Sequence, residues 1–199
     1  MPAPQNRKAV WGWALYDWAN SAFATTVMAG FFPVFFKQFW SVGVDVNIST
    51  ARLGYGNAVA GLLVAAFAPV LGAVADRGGT RKRFLASFTL LGVAATATFF
   101  WLPQGQWMGA ILCYSAGLIG FSGAMIFYDA LLPTVAGPDS LDRVSAFGYA
   151  AGYLGGGLLF VVNVAMTLQP HWFGPVSYTH LTLPTKEDEC SSRWWAGHG

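Results

Sequence analysis

Five long apolar runs between Val10 and Leu168 constrain this chain more than any other feature. A helix needs about 20 mostly apolar residues to cross a bilayer, and runs of that order recur here with short polar breaks. Spans are expected at about 10–36, 53–75, 84–102, 107–132 and 144–168. Between them fall a polar loop at 37–52, a basic loop at 76–83, the short turn "PQGQ" and a loop at 133–143. Apolar residues make up 55% of the chain and charged ones only 10%, whereas soluble domains carry about 25% charged residues. The pattern implies an all-α polytopic membrane protein. Arg7 and Lys8 precede the first run as in a signal peptide, but that run is too long for one and no A-x-A site closes it.

The charges orient the stack. With a cytoplasmic N-terminus, that side collects residues 1–9 with Arg7 and Lys8, then Arg77, Arg81, Lys82, Arg83 and Arg143. The far side holds only Lys37 and Arg52. This asymmetry follows the positive-inside rule, so the loop bases need no nucleic acid to explain them. The partners expected are a lipid bilayer and a small-molecule substrate. No metal cluster, phosphate loop or cofactor motif stands out, and no catalytic residue is assigned. Cys113 falls within a span, where a thiol packs like any small apolar group.

Inside the first span, "WALYDWANSAF" (13–23) places Asp17, Asn20 and Ser21 at i, i+3 and i+4, on one side of a helix. A charge at bilayer depth costs about 3 kcal/mol or more on insertion scales. A face turned into a bundle cavity, with Asn20 and Ser21 hydrogen-bonding the carboxylate, would offset that cost. Such a carboxylate suits a substrate ammonium group or a proton. The competing reading is an interfacial belt of Trp11, Trp13, Tyr16 and Trp18, with Asp17 hydrated or paired with Arg7 or a loop base. Asp129 is the second acid within a span, either paired with Arg143 or part of a proton or cation site. Asn163 in the fifth span is expected to bond a neighbouring helix.

Small residues crowd the later spans: Gly117, Gly120 and Gly123, then Gly148, Gly152 and Gly156. Absent side chains let helix backbones approach closely in lipid, so these helices are expected to pack on one another. The connecting stretch "GAVADRGGTRKR" (72–83) is a tight turn with one acid and four bases. Gly72 would allow a close helix crossing, Gly78 and Gly79 a positive φ, and Asp76 would accept hydrogen bonds from a base or a helix N-terminus.

The order and spacing of Gly72, Asp76, Arg77, Gly79, Arg81 and Lys82 resemble the loop signature of the major facilitator superfamily, between its second and third helices. The resemblance implies that these are cytoplasmic gate residues, with Asp76 latching against a helix of the second half. The phrases "YDWANSAF", "FYDALLP" and "RVSAFGYAAGYLGGGL" are similar to a narrower branch, that of the vacuolar amino-acid effluxer of autophagy and its bacterial relatives. What this implies is a twelve-helix fold, of which residues 10–174 hold the first five transmembrane helices. It implies in turn a secondary transporter in a bacterial cytoplasmic membrane, working by alternating access on amino acids or similar solutes. The sixth helix and the C-terminal half do not follow, so inactivity alone is expected. "GYLGGGLLF" also lacks the Gly-Pro pair of drug–proton antiporters.

Three other readings compete. A sugar–cation symporter would also place acids in the first and fourth spans. An intramembrane serine protease would use Ser122 in "GFSG", but His171, His180 and His198 all lie outside the spans, leaving no base. A non-functional fragment is the third. From about residue 175 the chain loses its pattern, and "VSYTHLTLPTK" resembles translated adaptor sequence. Residues 175–199 are therefore expected to be a non-native or disordered tail, and Cys190, His180 and His198 receive no role.

Overall fold

The computed structural model describes residues 7–76 and 79–169. It divides into two compact units, Met1–Phe160 and Val161–Gly199; the account below concerns the first. Of the second, only the end of the fifth helix is described, where the Thr167 hydroxyl donates to the Asn163 carbonyl at 2.9 Å. Residues 170–199, including the expected tail, His171, His180, Cys190 and His198, lie outside the described residues.

Among the described residues the fold is all helix, and five helices are long and apolar enough to cross a membrane. They run Arg7–Trp40, Val46–Asp76, Arg81–Trp101, Trp107–Val135 and Pro138–Leu168. The helices outrun the apolar segments that betray them. The loop expected at 37–52 shrinks to a turn, because Asp45 caps the second helix: its carboxylate accepts the Asn47 N–H at 2.8 Å and its carbonyl accepts Ser49 N–H at 3.0 Å. This is ordinary N-cap chemistry. Likewise the fourth helix continues to Val135 and the fifth begins at Pro138, leaving little of the loop at 133–143.

The first helix is not uniform. Over Phe23–Phe31 and Phe36–Trp40 its hydrogen bonds loosen to the i→i−5 pattern, with Phe32 N–H reaching the Val27 carbonyl and Ser41 N–H the Phe36 carbonyl. Pro33 supplies a cause. It has no N–H to donate and its ring crowds the carbonyl four residues back, so the preceding turns widen.

Two aromatic clusters hold the ends of the bundle. At the end opposite the N-terminus, Phe32 stacks on Tyr114 with centroids 4.1 Å apart, and Trp40 and Phe32 both lie against Phe99. Phe36 is completely buried there. Arg52 lies within the second helix, its guanidinium 3.9 Å from the centroid of the Trp107 ring, a cation–π contact. At the N-terminal end, Trp13, Tyr128, Ala136 and Val144 form the second cluster. Gly43 and Gly105 take φ of +76° and +83° in the two turns at the far end.

Between these clusters the helices touch through glycine. A Cβ at Gly120 would sit 2.6 Å from Gly92 N and 2.8 Å from Phe88 O, so the third and fourth helices meet backbone to backbone. The Phe88 ring fills the place of a side chain at Gly123, and Phe23 lies 3.2 Å from a Cβ at Gly117. Close approach of this kind replaces the hydrophobic force that lipid does not supply. Two expectations for the basic loop change. Nothing comes within 4 Å of a Cβ at Gly72, and Gly79 does not adopt a positive φ. Gly79 and Thr80 lead directly into the third helix, and Gly78 lies outside the described residues.

This packing sets an expected outcome. Gly120→Ala must push backbone against backbone, and overpacking of that kind costs about 1–3 kcal/mol. Gly61→Ala, with nothing within 4 Å, should hold or slightly raise stability, because alanine is the better helix former. Thermal unfolding of both variants in one detergent should show a lowered midpoint for Gly120→Ala alone.

Candidate functional site

The first and fifth helices run parallel and pair every four residues. A Cβ at Gly148 would collide with the Trp13 ring, one at Gly152 with the Asp17 carboxylate, and one at Gly156 would fall 2.9 Å from Thr25 Cγ2. Between them, Gly155 faces the Trp18 ring and carbonyl at 2.6 Å. The Thr25 hydroxyl lies within reach of the Ser21 carbonyl at 3.0 Å and the Gly156 carbonyl at 3.1 Å, and it donates to one at a time. A four-residue repeat of large and polar groups on one helix thus meets a four-residue repeat of glycines on the other.

That contact buries Asp17, which is only 6% exposed. Ser21 shares its face, with the hydroxyl 2.7 Å from the Cβ position of Gly152. Asn20 does not. Three residues along a helix rotate a side chain by about 300°, and Asn20 turns towards the fourth helix, where its amide donates to the Met125 sulfur at 3.1 Å. The expected Asn20 and Ser21 hydrogen bonds to the Asp17 carboxylate are not formed. Among the described residues no hydrogen bond or ion pair reaches that carboxylate.

The aromatic belt also divides. Trp11 is largely exposed and Trp18 is part exposed with its ring over Gly155, while Trp13 is 7% exposed and stacks on Tyr128 with centroids 4.4 Å apart and planes 10° from parallel. The Trp13 indole N–H donates to the Tyr128 carbonyl at 3.2 Å. Tyr16 also stacks on Tyr128, at 5.2 Å, and shares a 2.8 Å hydrogen bond with the Thr89 hydroxyl. Tyr128 is 3% exposed, and its own hydroxyl finds no partner among the described residues. The sequence assigns Tyr128 no role, because an unpartnered hydroxyl arises from packing between helices. Asp129 is exposed and makes no ion pair with Arg143, which is exposed as well. It still lies within electrostatic reach of Asp17.

On the opposite flank of the first helix is a cavity of about 480 Å³, lined by residues that include Tyr16, Asn20, Thr26, Phe88, Thr96 and Phe121. Its wall includes part of the loosened stretch of the first helix. Asp17 and Ser21 do not line it. The structure therefore separates two features that the sequence placed together, a buried carboxylate and an amide-rimmed cavity.

At the N-terminal end the basic loop is tied down by Arg81. Its guanidinium donates to the Ala75 carbonyl at the end of the second helix, to the Ala130 carbonyl at 3.1 Å and to the Thr134 hydroxyl at 3.2 Å. One cation thus joins the carbonyl-rich ends of the second and fourth helices, where positive charge is favoured. Asp76, the last residue of the second helix, points outward and takes no hydrogen bond among the described residues. Lys82 is exposed; Arg77 lies outside the described residues.

The family described as "Vacuole effluxer Atg22 like" matches residues 5–52 and 41–141. An uncharacterized MFS-type transporter, YxiO of Bacillus subtilis, is 41% identical over 157 residues, which is 78% of this chain and 37% of that protein. An uncharacterized protein of Aquifex aeolicus is 28% identical over 85% of this chain and 42% of its own length. Autophagy-related protein 22 of Coccidioides immitis is 23% identical over 74% of this chain and 31% of its own. The chain thus spans about two fifths of the length of the first two relatives. No solved structure matches it. Five apolar helices, the loop signature between the second and third, and a family match across most of the described residues converge: the chain belongs to the Atg22-like vacuole effluxer family of major facilitator proteins.

Proposed function

We propose that this chain supplies the N-terminal bundle of a secondary transporter of the major facilitator type, exporting amino acids or similar small solutes by alternating access. In such proteins two helical halves rock about a site near the bilayer midplane. The observation that carries the reading is a family match combined with polar groups held at depth: Asp17 and Ser21 at the glycine face, and Asn20 at the rim of the cavity. Those residues, with Asp129, are the candidates for the substrate or proton site. Gly148, Gly152 and Gly156 are helix-packing positions that hold Asp17 in place.

The basic loop is read as the cytoplasmic gate, comprising Gly72, Asp76, Arg77, Gly79, Arg81 and Lys82. Arg81 acts as its anchor, and the outward Asp76 is free to meet the second half. The positive-inside rule places the N-terminus in the cytoplasm, and bacterial relatives point to a bacterial cytoplasmic membrane. The chain is read as a transporter component and not as an enzyme. Its partners are the bilayer, a small-molecule substrate and a second set of helices.

Flux of labelled amino acids and sugars into inverted vesicles tests the reading. The chain alone should give background flux. Co-expressed with the C-terminal half of the Bacillus subtilis relative, it should move amino acids, and preferential sugar uptake would instead favour a sugar–cation symporter. Asp17→Asn in that pairing should lower flux at least about tenfold, equivalent to about 1.4 kcal/mol. Arg81→Lys should lower it too, since an ammonium lacks the flat fork that spans two carbonyls and a hydroxyl. Normal flux in both variants would overturn the assignment.

A further inference from the structure

The cavity of about 480 Å³ beside the first helix has the size of a small-molecule site, for which about 300–1,000 Å³ is usual. Aromatic rings face it from three helices: Tyr16 and Phe23 from the first, Phe88 from the third and Phe121 from the fourth. Phe23 and Phe121 stack with centroids 5.5 Å apart. Among the described residues no Asp, Glu, Lys, Arg or His side chain lines it. A charged group entering the cavity would therefore leave water without a counter-charge, which is costly.

The hydroxyls on its wall are already spent. Each threonine or tyrosine hydroxyl has one proton to donate. Thr89 gives its proton to the Leu85 carbonyl at 2.8 Å, so Tyr16 must be the donor in the Tyr16–Thr89 bond. Thr96 donates to the Gly92 carbonyl at 2.8 Å, and Thr26 is not free either. Asn20 differs. Its amide N–H meets the Met125 sulfur, a weak acceptor, and among the described residues no hydrogen bond reaches its Oδ1. The wall thus keeps a strong carbonyl acceptor and almost no donors.

Those two properties select the ligand. A sugar carries a hydroxyl on nearly every carbon, and each needs a partner once removed from water; this wall cannot supply them. A lipid acyl chain has no donor, so it would leave the Asn20 carbonyl unpaired, at a cost. A flat aromatic group with one N–H or O–H meets both demands. Its ring can take offset or edge-to-face contacts with neighbouring rings at about 4.5–7 Å, and its donor can pair with Asn20.

We propose that this cavity binds an uncharged aromatic group carrying one hydrogen-bond donor, of the phenol or indole class. Its donor bonds Asn20 Oδ1, and its ring lies among Phe23, Phe88 and Phe121. Any charged groups of the solute stay outside the cavity. The assignment narrows the transporter reading and rests on it for its purpose, since the group bound would decide which solutes are moved. The binding site itself is a property of this chain.

Fluorine NMR of fluoroindole with the full 199-residue chain in phosphatidylcholine vesicles tests the site. A shifted, saturable resonance should appear that protein-free vesicles lack, displaced by indole and not by glucose. N-Methylindole keeps the ring but has no N–H, and should compete about fivefold more weakly than indole. Asn20→Leu should erase that difference by weakening indole to the level of N-methylindole, whose continued binding reports that the variant has folded. If the variant fails to insert, the parent chain still decides: equal competition by indole and N-methylindole overturns the proposal. So does uptake that rises without saturation, or an indole preference that survives in Asn20→Leu. Displacement by decanol as strong as by indole would make the occupant an acyl chain, and overturns it too. Solute flux in the two-part pairing is scored separately: saturable binding without flux upholds the site and rejects the transport reading, whereas flux without saturable binding does the reverse.

Discussion

The parallel contact between the first and fifth helices is the constraint on which the rest of the bundle depends. Lipid offers apolar helices no hydrophobic reason to associate, so close packing must supply the attraction. At Gly148, Gly152 and Gly156 the missing side chains admit Trp13, Asp17 and Thr25. Once the first helix is seated in that register, its remaining polar groups have fixed destinations. Tyr16 meets Thr89 on the third helix, Asn20 meets Met125 on the fourth, and the Trp13 ring comes to rest on Tyr128. A shift of one residue in that register would set Trp13 and Asp17 against Tyr149 and Tyr153, or against Phe147 and Ala151, in place of the glycines.

Rigidity in this contact is offset by compliance further along the same helix. Beyond Ala22 the first helix loosens into i→i−5 bonding ahead of Pro33, and this stretch contributes Phe23, Thr26 and Val27 to the cavity wall. Such widened turns are uncommon and concentrate at functional sites. The N-terminal half of the helix is therefore pinned while its middle has hydrogen bonds that can be re-paired. Rocking motions of the kind alternating access requires would find their easiest give at that point, next to the cavity.

The five spans were legible in the sequence because apolar length is set by bilayer thickness and by little else. Their ends were not. Helix continues wherever backbone groups are paired, so Lys37 and Trp40 remain helical, and the cap at Asp45 starts the second helix seven residues before its apolar run. That cap was readable from Asp45 and the Asn47–Ser49 stretch. Within the site, the i, i+4 relation of Asp17 and Ser21 held, whereas the i+3 position of Asn20 sat just far enough round the helix to meet a different neighbour. The role of Tyr128 was illegible for another reason: an orphaned hydroxyl is a property of packing between helices, and no local spacing encodes it. The same holds for Arg81, whose three acceptors come from the second and fourth helices.

The loop shows how one charge can be settled and another left exposed by the same helix ends. Arg81 collects carbonyls at the C-terminal ends of the second and fourth helices, where the backbone dipoles present partial negative charge. Asp76 sits at one of those same ends, where a carboxylate is disfavoured, and it points away from the bundle. Nothing within the described residues relieves that disadvantage. A positive helix N-terminus approaching from a second half would relieve it, because such an end attracts anions for the same dipolar reason. Under the transporter reading, Asp76 is thus higher in energy when the gate is apart and lower when it is closed, while Arg81 holds its helix ends in both states. Ala130, whose carbonyl Arg81 grips, follows Tyr128 and Asp129 directly in the chain. The loop anchor at Arg81 and the Trp13–Tyr128 stack therefore meet on one short segment of the fourth helix, which gives coupling between the loop and the first helix a contiguous physical route.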